Sequence, residues 1–406
     1  MENFSDVKYI LDGFLLVMCG ALVMWMAAGF AMLEAGLTRS KNTATILTKN
    51  VGLYAVASLA YFFVGYNLMY GEGSAFIGSG VMLLGITNDN HSVMADFFFQ
   101  VVFVATSASV ISGVVAERMK MWSFFIFVVI LSAVIYPIQG HWVWGAGLTA
   151  EGGILEGFSD FAGSTLVHSV GGWAALAAVL LLGARKGKYT KDGKVRPIPG
   201  SSMPLAALGA LILWFGWFGF NGGSQLALGS KSDIDAIGLI FASTNMGASA
   251  GAVMAAILSQ LIYKKIDLTM MLNGALAGLV SVTAGPNISL EVALIEGLVG
   301  GALVVFAIPL FDKLKIDDPV GALSVHLVAG IWGTLAVGIF NPDVTIIAQI
   351  KGIILIGLFV FVASFIVWFI IKKTLGLRVG AQEEYEGLDI HETGLEAYPE
   401  FVKNAK

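Results

Sequence analysis

Residues 160–176 read DFAGSTLVHSVGGWAAL, an aspartate and a histidine inside an otherwise apolar, glycine-rich run. Titratable groups are expensive at membrane depth and tend to mark substrate paths, so the two residues ask for a reason. The same pattern returns later in the chain. Aligning Asp160 with Asp318 lays DFAGSTLVHSVGG on DPVGALSVHLVAG, with Asp160/Asp318, Gly163/Gly321, Val167/Val325, His168/His326, Val170/Val328 and Gly172/Gly330 identical. Six identities in thirteen positions suggest an internal repeat, and the repeat decides how the flanking sequence is read.

That flanking sequence is membrane protein. Of 406 residues 57% are hydrophobic and only 13% charged, and the mean hydropathy is +0.83, far outside the range of soluble domains. Apolar runs of roughly 17 to 25 residues, enough to cross a ~30 Å hydrocarbon core as helices, recur from end to end. Eleven are counted: 11–32, 47–69, 96–116, 122–138, 162–183, 203–223, 236–262, 269–285, 290–311, 320–340 and 347–371. The span 269–285 is the least pronounced. The run 74–88, SAFIGSGVMLLGITN, is short and broken by glycine and reads as an external re-entrant or interfacial piece. A single cysteine, Cys19, excludes an intrachain disulfide framework and a thiolate metal cluster. A net charge of −5 with no basic, aromatic-interleaved cluster gives no case for nucleic acid.

Nineteen of the 23 Lys and Arg residues fall on one side of these spans, with Lys8, Lys231 and Lys351 on the other and Lys49 at a span boundary. The positive-inside rule then puts the N-terminus outside and the C-terminus in the cytoplasm. The N-terminal stretch lacks the basic flank and small-residue cleavage pattern of a signal peptide, so the first run is expected to be a retained span.

The two copies of the repeat open the fifth and tenth spans, which run in opposite directions. This is the signature of an inverted-topology repeat, five spans plus five, with an eleventh helix added. Each histidine follows its aspartate by eight residues, ~12 Å of helix rise, and the two helices start at opposite faces, so both imidazoles should arrive near the midplane. They could face each other across a central pore. Structural histidines bonded across a helix interface are the alternative, and a symmetric pair fits that less well than a lone residue. A metal site is disfavoured because no Cys or carboxylate stands near either histidine, and Zn²⁺ wants three or four protein ligands. So is a Ser/His/Asp hydrolase, since Asp160 and His168 are more than two turns apart on one helix. No enzyme activity and no cofactor are expected.

Asp160 follows a polar, glycine-rich loop and reads as a helix N-cap that could also bias the outer mouth toward cations. Asp318 with Pro319 reads as a cap and a first-turn proline. Two neutral imidazoles between apolar walls suit a small, neutral, hydrogen-bonding molecule better than a hydrated ion. At the outer mouth HWVWGAG (141–147) offers Trp142 and Trp144, whose faces can hold a small ammonium-like cation or can simply be belt aromatics.

Residues 160–176 resemble the signature of the ammonium transporter family, and further stretches resemble it in order along nearly the whole chain. They are GLTRSKN (36–42), FQVVF (99–103), GVVAER (113–118), GWFGFNGGS (216–224), NGALAGLV (273–280), VHLVAGIWGTLAVGIF (325–340), and GLRVG (376–380) with EGLDIHETGLEAY (386–398). The resemblance implies an ammonium transporter of the cell membrane, a homotrimer with one pore per subunit. By position, His168 and His326 match the twin-histidine pair. Phe103 and Phe220 match a stacked phenylalanine gate, Phe103, Trp144 and Ser224 an external ammonium recruitment site, and Asp160 the signature aspartate. Without the resemblance Phe103 and Phe220 would read as core aromatics among 27 Phe.

The chain departs from some bacterial members at Leu33-Glu34-Ala35-Gly36, and Glu34 is expected to pair with Arg39 or a neighbouring loop. Residues 1–375 are read as the transmembrane domain and 376–406 as a cytoplasmic regulatory tail. The tail is acidic enough to be disordered, but its resemblance favours an ordered segment on the cytoplasmic loops. The resemblance also implies a PII-type nitrogen regulatory protein docking there. The expected function is recruitment of NH4+, its deprotonation, and passage of NH3 along the histidines. The competing reading is an ammonium sensor signalling through the tail with little flux.

Overall fold

Each long apolar run becomes a helix. The computed structural model describes residues 2–401, with side chains from 5 to 400; Met1 and the last part of the expected tail, 402–406, lie outside the described residues. Its long helices are α1 (Glu2–Leu37), α2 (Ser40–Tyr70), α3 (Val93–Val114), α4 (Met121–Val143), α5 (Ser164–Leu182), α6 (Met203–Gly223), α7 (Lys231–Tyr263), α8 (Leu268–Thr283), α9 (Leu290–Lys313), α10 (Leu323–Phe340) and α11 (Ile346–Thr374). No strand occurs among the described residues. Ten of the helices are long and apolar enough to cross a bilayer, which makes this a multi-pass membrane protein. The remaining one, α8, has 16 residues and a rise of about 24 Å, which accounts for its weak signal in the sequence.

Several helices outrun their apolar cores, because polar residues end a hydropathy run without ending a helix. The clearest case is α1, Glu2–Leu37 against an apolar run of 11–32; near its start Asp12 is buried and accepts hydrogen bonds from the backbone N–H of Leu228 (2.6 Å) and Gly229 (3.1 Å). The run 74–88 forms no helix. It is part of an irregular loop pinned by Asn67, which accepts from Leu83 N–H at 2.7 Å and donates to the Leu84 carbonyl at 3.1 Å.

Helices distant in sequence meet: α1 packs along α6, and α5 packs against α10. Glycines set the closest approaches. A Cβ on Gly251 of α7 would land on the Gly274 carbonyl and Gly278 Cα of α8, backbone atoms that cannot step aside. Gly251→Val is therefore expected to cost about 1–3 kcal/mol and to lower the melting temperature in detergent. An unchanged melt would show that the two backbones are not in contact.

The two repeat copies fold alike. Gly163 (φ +113°) and Gly321 (φ +82°) take left-handed conformations that disfavour any side chain, and the aspartate three residues earlier gathers the backbone N–H groups that follow. Asp318 accepts from Val320, Gly321 and Leu323, but Pro319 lies in the turn ahead of α10 and not in its first turn. In both copies the histidine sits in a π-helical turn, Ser164–Ser169 and Leu323–Val328, a local widening that recurs at functional sites.

The described part of the tail reaches Phe401 and packs on the loop end of α2, α4 and α5. Asp389 accepts from the backbone N–H of Ala44 and Thr45, where the 3₁₀ start of α2 (Ser40–Asn42) gives way to α-helix, and Glu392 from that of Met121, so two tail carboxylates satisfy early backbone donors of α2 and α4. Arg378 grips Glu384 (2.8 Å) and donates to the Leu182 and Ala184 carbonyls.

Beneath the tail lies a buried ion cluster. Glu117 pairs with Arg185 (2.6 Å) and Arg39 (2.9 Å), and Arg185 continues to Asp317 (2.9 Å). Burial alone would raise the Glu117 carboxyl, but Arg185 and Arg39 outweigh it and hold the group down at about 2. With the folded value below the unfolded one, ~4.3, the contribution is fully present above the unfolded value and is lost as pH falls toward 2. Glu117→Gln is expected to lower the neutral-pH melting temperature, by about 3 kcal/mol of stability, and to flatten the acid dependence. Equal melting curves for variant and parent from neutral to acid pH would remove the cluster from the stability of this end.

Candidate functional site

The site is a column of rings. His168 and His326 meet with Nδ1 3.2 Å from Nδ1 and ring centroids 5.2 Å apart, both side chains buried. With both rings neutral, one Nδ1 must donate and the other accept. The donor ring then carries a bare Nε2 acceptor and the acceptor ring an Nε2–H, so the pair offers hydrogen-bonding groups beyond its shared proton. His168 Nε2 is buried with no hydrogen-bond partner among the described residues. Trp217 and Phe220 of α6 stack on His168 at 4.8 and 5.2 Å and fix its plane.

Next in the column, Phe220 stacks on Phe103 of α3, centroids 4.0 Å apart and planes 24° apart, both rings buried. Phe103 meets Trp144 edge-on at 6.2 Å. Beyond them opens a cavity of about 360 Å³ whose walls include Phe103, Trp144, Ser224, Tyr66, Asp96 and Gln100. Ser224 Oγ donates to the Phe220 carbonyl (2.9 Å), and Trp144 Nε1–H donates to the Asp160 carbonyl (2.9 Å), which orients the indole toward the cavity. Trp142 is buried and donates to the Phe76 carbonyl at 2.9 Å.

Asp160 stands behind this wall and does not face the cavity. Oδ1 accepts from Gly163 and Ser164 (3.0 and 2.9 Å), Oδ2 from Thr165 and Leu166 (both 2.8 Å). A carboxylate with four charge-assisted partners fixes the entry of α5 and therefore the position of His168.

The structure thus brings together Phe103, Trp144, Ser224, Phe220, His168 and His326 along one line, with Asp160 as its buried support. Sequence reasoning did not single out Trp217, nor the Asp96–Tyr66 pair, whose O–O distance is 2.5 Å. A carboxylate opening the third apolar run was the available signal for Asp96. Glu34 was misassigned. It does not meet Arg39, which Glu117 holds; it accepts from Ser112 Oγ (2.7 Å) and lies 3.6 Å from Lys49, buried inside α2 and not at its boundary.

Residues 14–398 match the model of the Ammonium Transporter Family. The chain belongs to the ammonium transporter family. Among its relatives, Ammonium transporter Amt2 of Archaeoglobus fulgidus is 41% identical over 415 residues, 95% of this chain and 88% of the relative. Ammonium transporter Amt1 of Haloferax mediterranei is 39% identical over 94% of this chain and 78% of the relative. Among solved structures, one named Sensor Amt Protein superposes with a TM-score of 0.90 at 36% identity, covering 97% of this chain and 100% of that chain. Candida albicans Mep2 follows the same fold with a TM-score of 0.84 at 26% identity, over 99% of this chain and 96% of that one.

Proposed function

We propose that this family member is an ammonium transporter of the cell membrane and not an enzyme. Its eleven spans form an inverted five-plus-five repeat with an added helix, the N-terminus outside and the tail in the cytoplasm. NH4+ is recruited at the cavity between Phe103, Trp144 and Ser224, where ring faces and a hydroxyl replace part of its water. It loses a proton on entry, passes the Phe103/Phe220 gate, and moves as NH3 along His168 and His326. The observation that carries this reading is the Nδ1-to-Nδ1 contact of two buried imidazoles behind stacked phenylalanines. Such a path feeds one hydrogen-bonding molecule at a time and has too few ligands for a bare cation. Asp160 supports α5, and its charge biases the mouth toward cations.

Family resemblance supports a homotrimer and a PII-type regulatory protein docking at the tail face. A second reading, an ammonium sensor with little flux, is favoured by two observations: the likeness to Sensor Amt Protein, and a tail bonded to three helix ends. An ammonium jump on purified protein in liposomes, read as solid-supported-membrane current, tests the choice. A saturable current supports transport. Tight ammonium binding without current or uptake supports the sensor.

A further inference from the structure

On the far side of His326 from the gate lies a carboxylate that the path described above does not use. Glu34, in the last turn of α1, is only 2% exposed. Its Oε2 accepts from Ser112 Oγ, and Lys49 Nζ, 3.6 Å away, donates to the Ser112 carbonyl at 2.7 Å. The other oxygen, Oε1, is buried with no hydrogen bond of normal geometry. Glu34 shares a small cavity with Phe30, Val325 and His326. That cavity has Asn273 and Val320 in common with a larger one of about 260 Å³, walled by Pro199, Asp312 and Ser324, at the loop end. A buried carboxylate oxygen with no hydrogen bond of normal geometry, near the Asn50 amide, therefore stands between the second histidine and the inner mouth. An unpartnered buried acceptor costs stability, and here it is kept beside the path.

We propose that Glu34 is an inner proton-transfer station, at which ammonia leaving His326 is converted to ammonium; this rests on the transport reading. The ammonia lone pair takes the Glu34 carboxyl proton, the O–H bond breaks, and its electron pair stays on the carboxylate. A proton from hydronium of the inner solution restores the acid. Lys49 stabilises the carboxylate left behind and repels the new ammonium toward the inner cavity. The groups around Glu34 are few. Lys49 and Asn50 come from α2, Ser112 and Ser109 from α3, Asn273 from α8 and His326 from α10, with Glu117 and Arg118 beyond Lys49; α6, packed along α1, carries no charged residue from Met203 to Gly223. Lys49 and His326 are thus the titratable neighbours.

The test compares the parent with Glu34→Gln, which keeps the shape and loses the proton, and with Glu34→Gln/Lys49→Met, which also removes the ammonium left unpaired. The second variant decides the matter if the first does not fold. Ammonium uptake into liposomes is measured per folded protein at saturating external ammonium, with internal pH stepped across neutrality. The parent is expected to slow as internal pH rises. The variants are expected to lose on the order of 10²-fold in maximal rate, the lower end for a positioned proton donor, with half-saturation unchanged and no internal-pH dependence. Parent-like rate and pH profile in the double variant overturn the proposal while leaving transport intact. No uptake by the parent overturns the transport reading and this proposal together.

Discussion

Replacing both imidazoles, His168→Ala with His326→Ala, is expected to lower the saturable ammonium current by on the order of 10- to 100-fold or to change the ion it carries. The estimate follows from one or two lost hydrogen bonds in a dry path, ~1.5–3 kcal/mol, at 1.4 kcal/mol per decade of rate. Beyond lost bonds, truncation opens space in the ring column beside Trp217 and Phe220, and water entering there would give ions a hydrated route. Reduced current with selectivity lost therefore indicates a dry path breached; reduced current with selectivity kept indicates a path merely interrupted. The measurement is current on ammonium, potassium and sodium jumps in the same liposomes. A double variant with the parent's amplitude and selectivity would take both histidines out of the conduction path.

Asp160→Ala is expected to have the largest effect on folding. Four backbone N–H groups, from Gly163 to Leu166, converge on one buried carboxylate, and alanine leaves them without it. Even with partial rescue by water, a loss on the order of 5 kcal/mol is expected, comparable with the whole stability of many domains. Asp160→Asn should be intermediate, because its carbonyl still serves two donors while its NH2 confronts the other two. Recovery of monodisperse protein and its melting temperature in detergent check this. An Asp160→Ala protein that melts like the parent would show that the carboxylate does not hold α5.

Much of this arrangement was legible because it depends on local pattern. Apolar runs located the helices. The Asp160–Gly163–His168 spacing, repeated at Asp318–Gly321–His326, announced two equivalent helix entries, since a left-handed glycine and a carboxylate close the same turn in each. What was not legible depends on partners distant in sequence. Lys49 looked like a boundary because a lysine ends a hydropathy run, and only α1 and α3 folded beside it give it Glu34 and Ser112. Asp96 needed Tyr66, and nothing in the local pattern announces the π-helical turns around both histidines. Pro319 missed its expected place because the Gly321 turn delays the start of α10.

Among the described residues the tail's bonds to the loops fall on one side. Its hydrogen bonds to Asn42, Ala44, Thr45, Arg118, Lys120, Met121, Ser123, Leu182, Ala184 and Lys186 all fall at or just beyond the ends of α2, α4 and α5, in the N-terminal half of the chain. It is a splint fitted to one half of the molecule. A force that peeled it away would bare the ends of α2, α4 and α5 first, and through Arg185 it would be felt at Asp317, ahead of α10.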